Sequence, residues 1–194
     1  MIGSVAPDAV DAGQGLPSRP LSQCRPADWC AVHGVMTDVD DTLTRDGAIE
    51  PAALRALHAL REAGVPVIAI TGRPHGWSVP FATEWPLDAL VAENGAVALI
   101  PDGRGGTVTE FAQDEATRKR NAERLRAVAA EVLREVPGAA LAEDSPGRLT
   151  DIAIDHSEFN HLDADAIARV VAVMRAAGMT ATVSSIHVNG WFGT

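Results

Sequence analysis

The chain has 194 residues and a formal net charge of −10 at pH 7, with 46% hydrophobic and 22% charged residues. This balance is typical of a globular protein with one domain, or with one domain and a smaller inserted one. The acidic charge disfavours nucleic acid and anionic membrane surfaces as partners, but it does not exclude a small anionic substrate. Two cysteines, no signal-peptide pattern and no long apolar run predict a cytoplasmic protein.

The first part of the chain has a composition unlike the rest. Residues 1–28 are rich in Gly, Pro, Ser and Ala and lack the periodicity of a helix or a strand. We predict that they form a flexible leader and that ordered structure begins near residue 29.

The stretch from Gly34 to Asp46, GVMTDVDDTLTRD, starts apolar and turns abruptly acidic. Side chains at i and i+2 point the same way in an extended chain, so we expect Asp38 and Asp40 to converge and Asp41 to turn away. Two converging carboxylates repel each other unless a cation or a proton lies between them. One hypothesis is therefore an Asp nucleophile with an Asp acid/base and Mg²⁺, and the other is a solvated acidic turn without function.

A second strand end follows one crossover later. The pattern predicts a helix over Pro51–Ala63 and a buried parallel strand over Val65–Ile70. Thr71, Gly72 and Arg73 come directly after that strand. A hydroxyl, an exposed backbone amide and a guanidinium are groups that bind phosphate oxygens, although a surface loop is the alternative interpretation.

A third strand also ends in polar residues. The sequence predicts a helix over His75–Thr83, a strand over Leu87–Ala92 and a further strand over Ala96–Ile100. The turn between the two strands contains Asn94 and Gly95, a dipeptide that favours a hairpin. Because carboxyl ends of parallel strands meet at one edge of a sheet, three such clusters predict one site there.

The composition changes after residue 100, where a Pro/Gly loop marks a candidate boundary. The remaining elements alternate as helix, two strands, helix and two strands, which predicts a small α+β unit. They are a helix with one apolar face, strands over 139–143 and 148–156, a helix from about Asp163, and strands over 180–185 and 186–189. The apolar face of the first helix consists of Leu125, Val128, Ala129, Val132, Leu133 and Val136. We therefore predict a core over residues 29–100 and a cap over residues 101–190.

With DVDDTLT, TGRP and AENGA in place, the chain resembles the haloacid dehalogenase (HAD) superfamily of phosphatases. It is most similar to the Cof-type branch, subfamily IIB, which carries an α+β cap and includes phosphatases of sucrose phosphate and mannosyl-phosphoglycerate. The resemblance covers the chain from about Gly34 onward. It implies an α/β fold with a Rossmann-like parallel sheet and an inserted α+β cap.

The resemblance also implies roles for particular residues. Asp38 would be the nucleophile, Asp40 would be the acid/base, and both would bind Mg²⁺. Thr71 and Gly72 would hold the phosphate, with Arg73 and Asn94 facing the pocket. The substrate would be a small phosphorylated metabolite such as a sugar phosphate. We expect His187 and Asn189 to be structural strand residues, with substrate contact as the alternative.

Two parts of the family pattern are missing from the printed sequence. The family has a lysine beside the nucleophile and an acidic GDxxND-type loop after the cap, whereas Lys119, the only lysine here, falls on a cap helix. We therefore expect a C-terminally truncated core whose acidic strand has an unpaired edge. Three hypotheses follow: a Mg²⁺-dependent phosphatase, a non-catalytic phosphate-binding or regulatory module, and a phosphotransferase that needs an acceptor alcohol.

Overall fold

The computed structural model describes residues 20–193 of a chain that divides into two compact units, residues 1–32 and 33–194. In the first unit the described residues form two short 3₁₀ turns, Leu21–Gln23 and Pro26–Trp29. The predicted flexible leader lies mostly outside the described residues, so it stays a prediction. All α-helices and β-strands described below belong to the second unit.

Within residues 33–193 the second unit has eleven strands and four α-helices. The strands are β1 (Val35–Asp38), β2 (Thr44–Arg45), β3 (Ala48–Ile49), β4 (Val67–Ile70), β5 (Ala89–Ala92), β6 (Val97–Pro101), β7 (Thr107–Phe111), β8 (Ala140–Leu141), β9 (Asp151–Asp155), β10 (Thr180–Val183) and β11 (His187–Trp191). The helices are α1 (Pro51–Glu62), α2 (His75–Glu84), α3 (Glu115–Glu135) and α4 (Ala164–Ala176).

The first sheet has five strands in the order β1-β4-β5-β6-β7. β1, β4 and β5 are parallel, and β6 and β7 extend the sheet as antiparallel strands. The two parallel crossovers contain α1 and α2, and right-handed crossovers in one direction place both helices on the same face. That face buries Val67, Ala69 and Leu90 against Leu57 of α1 and Ala82 of α2.

The other face and one edge of the first sheet are open. β1 lies at the end of the strand order and pairs with β4 alone within residues 20–193, as the sequence predicted. On the face away from α1 and α2, Met36 is 73% exposed and Ile70 is 38% exposed. Apolar strand residues of this kind are normally covered in parallel sheets.

The second sheet is antiparallel, with the order β10-β11-β9-β8. α3 and α4 cover one of its faces and form a separate core with Ile154 and Val188. Each helix begins at an aspartate whose side chain accepts a backbone N–H, Asp114 for α3 and Asp163 for α4. A parallel sheet with helices beside an antiparallel α+β sheet is the predicted fold class.

Three details differ from the sequence predictions. Leu133, which was expected on the apolar face of α3, is 41% exposed, because the buried stripe of this helix runs through Leu125, Val128, Ala129 and Val132. The strand β7 was not predicted, although it pairs with β6 along its whole length and belongs to the first sheet. The change between sheets therefore falls after Phe111, while the division into core and cap remains a prediction.

None of the helices in the described part of the chain is long and apolar enough to cross a membrane.

Candidate functional site

The carboxyl ends of β1, β4 and β5 open into one cavity of about 470 Å³. The opposite wall of this cavity comes from the second sheet, mainly from the β10–β11 turn. All of the residues predicted for the site line it: Asp38, Asp40, Thr71, Gly72, Arg73 and Asn94. The three polar strand ends therefore meet at one place.

Asp38 is the last residue of β1, and the chain leaves the extended conformation immediately after it. Its carboxylate accepts a hydrogen bond from the Thr42 hydroxyl at 3.3 Å. Asp41 has a φ of +57° and also lines the cavity, so the prediction that it turns away is wrong. The i, i+2 alternation fails here because the strand ends before Asp40 is reached.

The side chain of Asp40 is held by residues of the β4 strand end. The Arg73 guanidinium donates to both carboxylate oxygens of Asp40 at 3.3 Å, and the Thr71 hydroxyl donates at 3.4 Å. The Thr71 hydroxyl in turn accepts the backbone N–H of Arg73 at 3.0 Å. Arg73 also lies over the Trp77 ring, 5.0 Å from its centroid. A packed aromatic ring thus fixes the guanidinium that orients Asp40.

Two titratable side chains on the second-sheet side of the cavity, Glu158 and His187, form a pair that the sequence did not predict. Glu158 lies 4.0 Å from Arg73, and its other carboxylate oxygen is 2.9 Å from His187 Nε2. A row of polar contacts therefore crosses the cavity from Asp40 through Arg73 and Glu158 to His187. No local motif marks Glu158, because its partners lie far away in sequence.

The loop that carries Glu158 is ordered by one carboxylate, Asp155. Its two oxygens accept four successive backbone N–H groups, of residues 157–160, at 2.8–3.0 Å. Burial works against the charged form, but these donors lower the pKa of Asp155 below its ordinary value. The loop conformation, and with it the position of Glu158, depends on an ionised Asp155.

Glu93, from the predicted ENG turn, joins the two sheets. It is 1% exposed and has a φ of +49°, which is unusual for a residue with a side chain. Its carboxylate accepts the backbone N–H groups of His75, Leu149 and Thr150 at 2.6–3.0 Å, and the Thr150 hydroxyl at 2.6 Å. The strained turn is therefore fixed by hydrogen bonds to the segment that leads into β9.

A buried ionic cluster lies beside this turn. Arg148, whose side chain is 3% exposed, donates to Asp144 and Asp151 at 2.9–3.0 Å and to the Gly72 carbonyl at 3.2 Å. The Asn94 amide donates to Asp151 at 2.9 Å. Burial, opposed by Arg148, raises the pKa of Asp151 to about 6, and the nearby Glu93 adds to the rise. Asn94 thus lines the cavity and also anchors β9.

A divalent cation at this site would be held by Asp38 and Asp40. Within the described residues no group of three or more His, Cys, Asp and Glu side chains is arranged to hold a metal ion. Mg²⁺, however, keeps several waters and is commonly bound through one or two carboxylates and a substrate phosphate. The Asp38 carboxylate at the mouth of β1 satisfies that requirement, so the donor set fits Mg²⁺ bound together with a phosphate.

The comparison with protein families agrees with the fold. Residues 35–124 match the haloacid dehalogenase-like hydrolase family. The match covers a little under half of the chain and agrees with the resemblance that the sequence predicted. No curated protein matches the sequence.

Solved structures of similar fold include a Thermoplasma acidophilum protein, with a TM-score of 0.61, 15% identity, and coverage of 81% of this chain and 63% of that one. The sucrose-phosphatase of Synechocystis has a TM-score of 0.54 and 16% identity, over 80% of this chain and 62% of that one. The C-terminal domain of a Candida albicans trehalose synthase regulatory protein has a TM-score of 0.55 and 17% identity, over 86% and 59%. The chain thus spans about three fifths of the length of these structures.

Proposed function

We propose that the chain carries the nucleophile and the substrate pocket of a Mg²⁺-dependent phosphomonoester hydrolase acting on a sugar phosphate or a similar small metabolite. The supporting observation is that the polar ends of β1, β4 and β5 line one cavity whose opposite wall is the polar side of a second sheet. A cavity of about 470 Å³ is in the range that accommodates a small ligand.

The proposed reaction uses two carboxylates in turn. A carboxylate oxygen of Asp38 attacks phosphorus, the bond from phosphorus to the alcohol oxygen breaks, and protonated Asp40 gives its proton to the leaving alkoxide. Asp40 then accepts a proton from water, the water oxygen attacks the aspartyl phosphate, and the bond to Asp38 breaks to release phosphate. Asp40 must exchange its contacts with Arg73 and Thr71 for contacts with the substrate before it can transfer these protons.

The phosphoryl oxygens would be bound by groups at the end of β4. The Thr71 hydroxyl, the Gly72 backbone N–H and the Arg73 guanidinium are the hydrogen-bond donors there, and a Cβ at position 72 would come within 3.2 Å of Asn94 Oδ1. A glycine at this position therefore avoids a close contact with Asn94. When bound at Asp38 and Asp40, Mg²⁺ would neutralise charge on the phosphoryl oxygens.

The test is the Mg²⁺-dependent hydrolysis of p-nitrophenyl phosphate by the wild-type chain and by Asp38→Asn. We expect Asp38→Asn to lower kcat by about 10³-fold or more, because the amide cannot form the aspartyl phosphate. Asp165→Asn, an exposed aspartate on α4, is the matched control and should leave the rate unchanged. Equal rates for wild type and Asp38→Asn would remove Asp38 from the reaction.

A non-catalytic phosphate-binding module is the second candidate, and one observation favours it. The family has a lysine beside the nucleophile, but Lys119, the only lysine here, does not take that place. Its side chain is 75% exposed on α3 and pairs with Glu115 at 2.6 Å, away from the cavity. Arg73, which does line the cavity, is already engaged by Asp40. This candidate predicts binding of inorganic phosphate by calorimetry, loss of that binding in Thr71→Val, and no turnover of p-nitrophenyl phosphate with or without Mg²⁺.

A further inference from the structure

The Arg73 guanidinium has a different neighbour on each of three sides. The edge formed by Nε and Nη2 contacts the carboxylate oxygens of Asp40 at 3.3 Å. Its face lies over the Trp77 ring. The remaining nitrogen, Nη1, lies 4.0 Å from Oε1 of Glu158, which lines the second-sheet side of the cavity. Carboxylates from both sides of the cavity therefore meet at Arg73.

The contacts between Arg73 and Asp40 are the ones that the proposed reaction must break. A strong hydrogen bond between a guanidinium and a carboxylate is about 2.7–2.9 Å long. The contacts with Asp40, at 3.3 Å, are therefore weak. The Asp40 side chain is also 37% exposed, which leaves it room to turn toward a substrate. When it turns, the Nε–Nη2 edge of Arg73 loses its partner, and two parallel N–H groups of this kind match two oxygens of a phosphate.

Glu158 is fixed by groups other than Arg73. Its Oε2 lies 2.9 Å from His187 Nε2, and because a carboxylate only accepts, Nε2 carries the proton. The Ser184 hydroxyl accepts the His187 N–H at 3.0 Å and donates to the His187 carbonyl at 3.1 Å. The backbone N–H of Glu158 donates to Asp155 at 2.8 Å. Within residues 20–193 no donor forms a hydrogen bond with Oε1 of Glu158, so this oxygen is free to bind Nη1 after a small side-chain rotation.

The charge of Glu158 by itself opposes an anionic ligand. The cavity is already lined by four other carboxylates, those of Asp38, Asp40, Asp41 and Asp46. One more negative charge repels a phosphate, so simple electrostatics predicts that neutralising Glu158 tightens phosphate binding. If Glu158 orients Arg73 instead, the same change weakens phosphate binding. The two explanations therefore differ in the sign of a measurable effect.

We propose that Glu158 is a positioning residue that acts through Arg73. When Asp40 turns away, Glu158 Oε1 holds Nη1 and the Trp77 ring covers the guanidinium face. The Nε–Nη2 edge thus stays directed at the ends of β1 and β4, where it donates to phosphoryl oxygens. Without Glu158 the guanidinium loses this orientation as Asp40 leaves, and phosphate binding must then order it again. This inference rests on the proposed function, because it assumes that a phosphate is bound at these strand ends.

The experiment measures the affinity of the full chain for inorganic phosphate by calorimetry in Mg²⁺ buffer. This probe reports on the site whether or not the chain hydrolyses an ester. We expect Glu158→Ala to weaken phosphate binding about five- to tenfold, and Arg73→Ala about tenfold or more. Glu158→Gln keeps an acceptor oxygen but loses the charge, so it should weaken binding by only about two- to threefold.

A double-mutant cycle assigns the effect to Arg73. In a chain that already carries Arg73→Ala, Glu158→Ala removes a negative charge and no useful contact. It should therefore tighten phosphate binding slightly instead of weakening it. If Glu158 were only a structural residue of its loop, its removal would weaken binding by the same factor in both backgrounds.

Two control variants separate position from charge. Asp46→Asn removes a carboxylate from the same cavity, and asparagine tolerates the φ of +51° at this residue. It should tighten phosphate binding by about twofold, as expected for a screened charge. Glu143→Ala truncates an exposed glutamate outside the cavity and should leave the affinity unchanged. Circular dichroism and thermal unfolding establish that each variant is folded, and Glu158→Gln carries the same cycle if Glu158→Ala does not fold.

The outcomes separate the inference from the function on which it rests. Unchanged or tighter phosphate binding in the folded Glu158 variants, or an equal loss with and without Arg73, would overturn the role of Glu158 and leave the phosphate site intact. If the wild-type chain does not bind inorganic phosphate, the proposed function fails and the inference fails with it.

Discussion

The hydrogen bonds of Glu93 give the sharpest test of how the two sheets are joined. The carboxylate accepts from four donors: the N–H groups of His75, Leu149 and Thr150, and the Thr150 hydroxyl. In Glu93→Gln one oxygen becomes an NH₂ group. If the remaining oxygen keeps the Thr150 and Leu149 donors, the His75 N–H is left facing another donor. The other hydrogen bonds also lose their charge assistance.

The expected cost follows from these contacts. One unsatisfied N–H costs about 1–3 kcal/mol, and weaker neutral hydrogen bonds at the other donors add to it, so the sum is about 2–4 kcal/mol. For a chain of this length that corresponds to a Tm lower by roughly 5–15 °C. Thermal unfolding followed by circular dichroism measures this, and faster amide exchange at His75 and Thr150 would locate the effect.

Glu143→Gln is the control, because Glu143 is an exposed carboxylate near the same segment of the second sheet. It should shift Tm by no more than about 1–2 °C, since surface substitutions are usually within about 0.5 kcal/mol. If Glu93→Gln unfolds at the same temperature as this control, the hydrogen bonds of Glu93 contribute little net stability and the reasoning is wrong.

Further predictions concern the second sheet. The pKa of Asp151 in the folded chain, about 6, lies above its ordinary value of 3.8. The stability that protonated Asp151 gives the folded state is therefore fully present below pH 4 and is lost as the pH rises through 6. Urea unfolding should therefore show wild type losing up to about 3 kcal/mol relative to Asp151→Asn between pH 4 and pH 7, and a pH-independent difference would contradict the raised pKa. Asp155→Asn removes an acceptor from two of four loop N–H groups and should cost about 2–3 kcal/mol by the same assay; unchanged stability would mean that the loop is held by other contacts. In Gly190→Ala the new Cβ would lie 2.8 Å from Met174 Sδ and 2.9 Å from Met179 Cε. We therefore expect the free energy of unfolding to fall by about 1–2 kcal/mol. An unchanged free energy of unfolding would show that both flexible side chains shift freely.

The sequence predicted the elements that depend on local patterns. Apolar runs and helical spacing gave β4, β5, β6, α1, α2 and α4 within a few residues, because period and burial are read directly from such runs. β7 was missed because its residues, TVTEF, alternate weakly and follow a Pro/Gly loop that looked like a boundary. The structure shows that this loop instead connects two antiparallel strands.

The candidate site also combines residues that local patterns predict with contacts that they do not. Asp38, Thr71 and Asn94 could be placed because each follows a predicted parallel strand, and such strand ends share one edge. The contacts of Glu93 to Thr150 and of Arg73 to Glu158 join residues 57 and 85 positions apart. No periodicity or turn signal encodes such pairs, since they depend on how the two sheets pack against each other.

The contacts between the sheets also fix the shape of the cavity. Arg148 joins Asp151 of β9 to the Gly72 carbonyl at the end of β4, and its side chain is almost fully buried. A buried ion pair adds little net stability, but removing one partner leaves an uncompensated charge, so the arrangement strongly disfavours alternative positions of the two sheets. The strand end that carries Thr71 and Gly72 and the polar face of β11 are therefore held in one geometry.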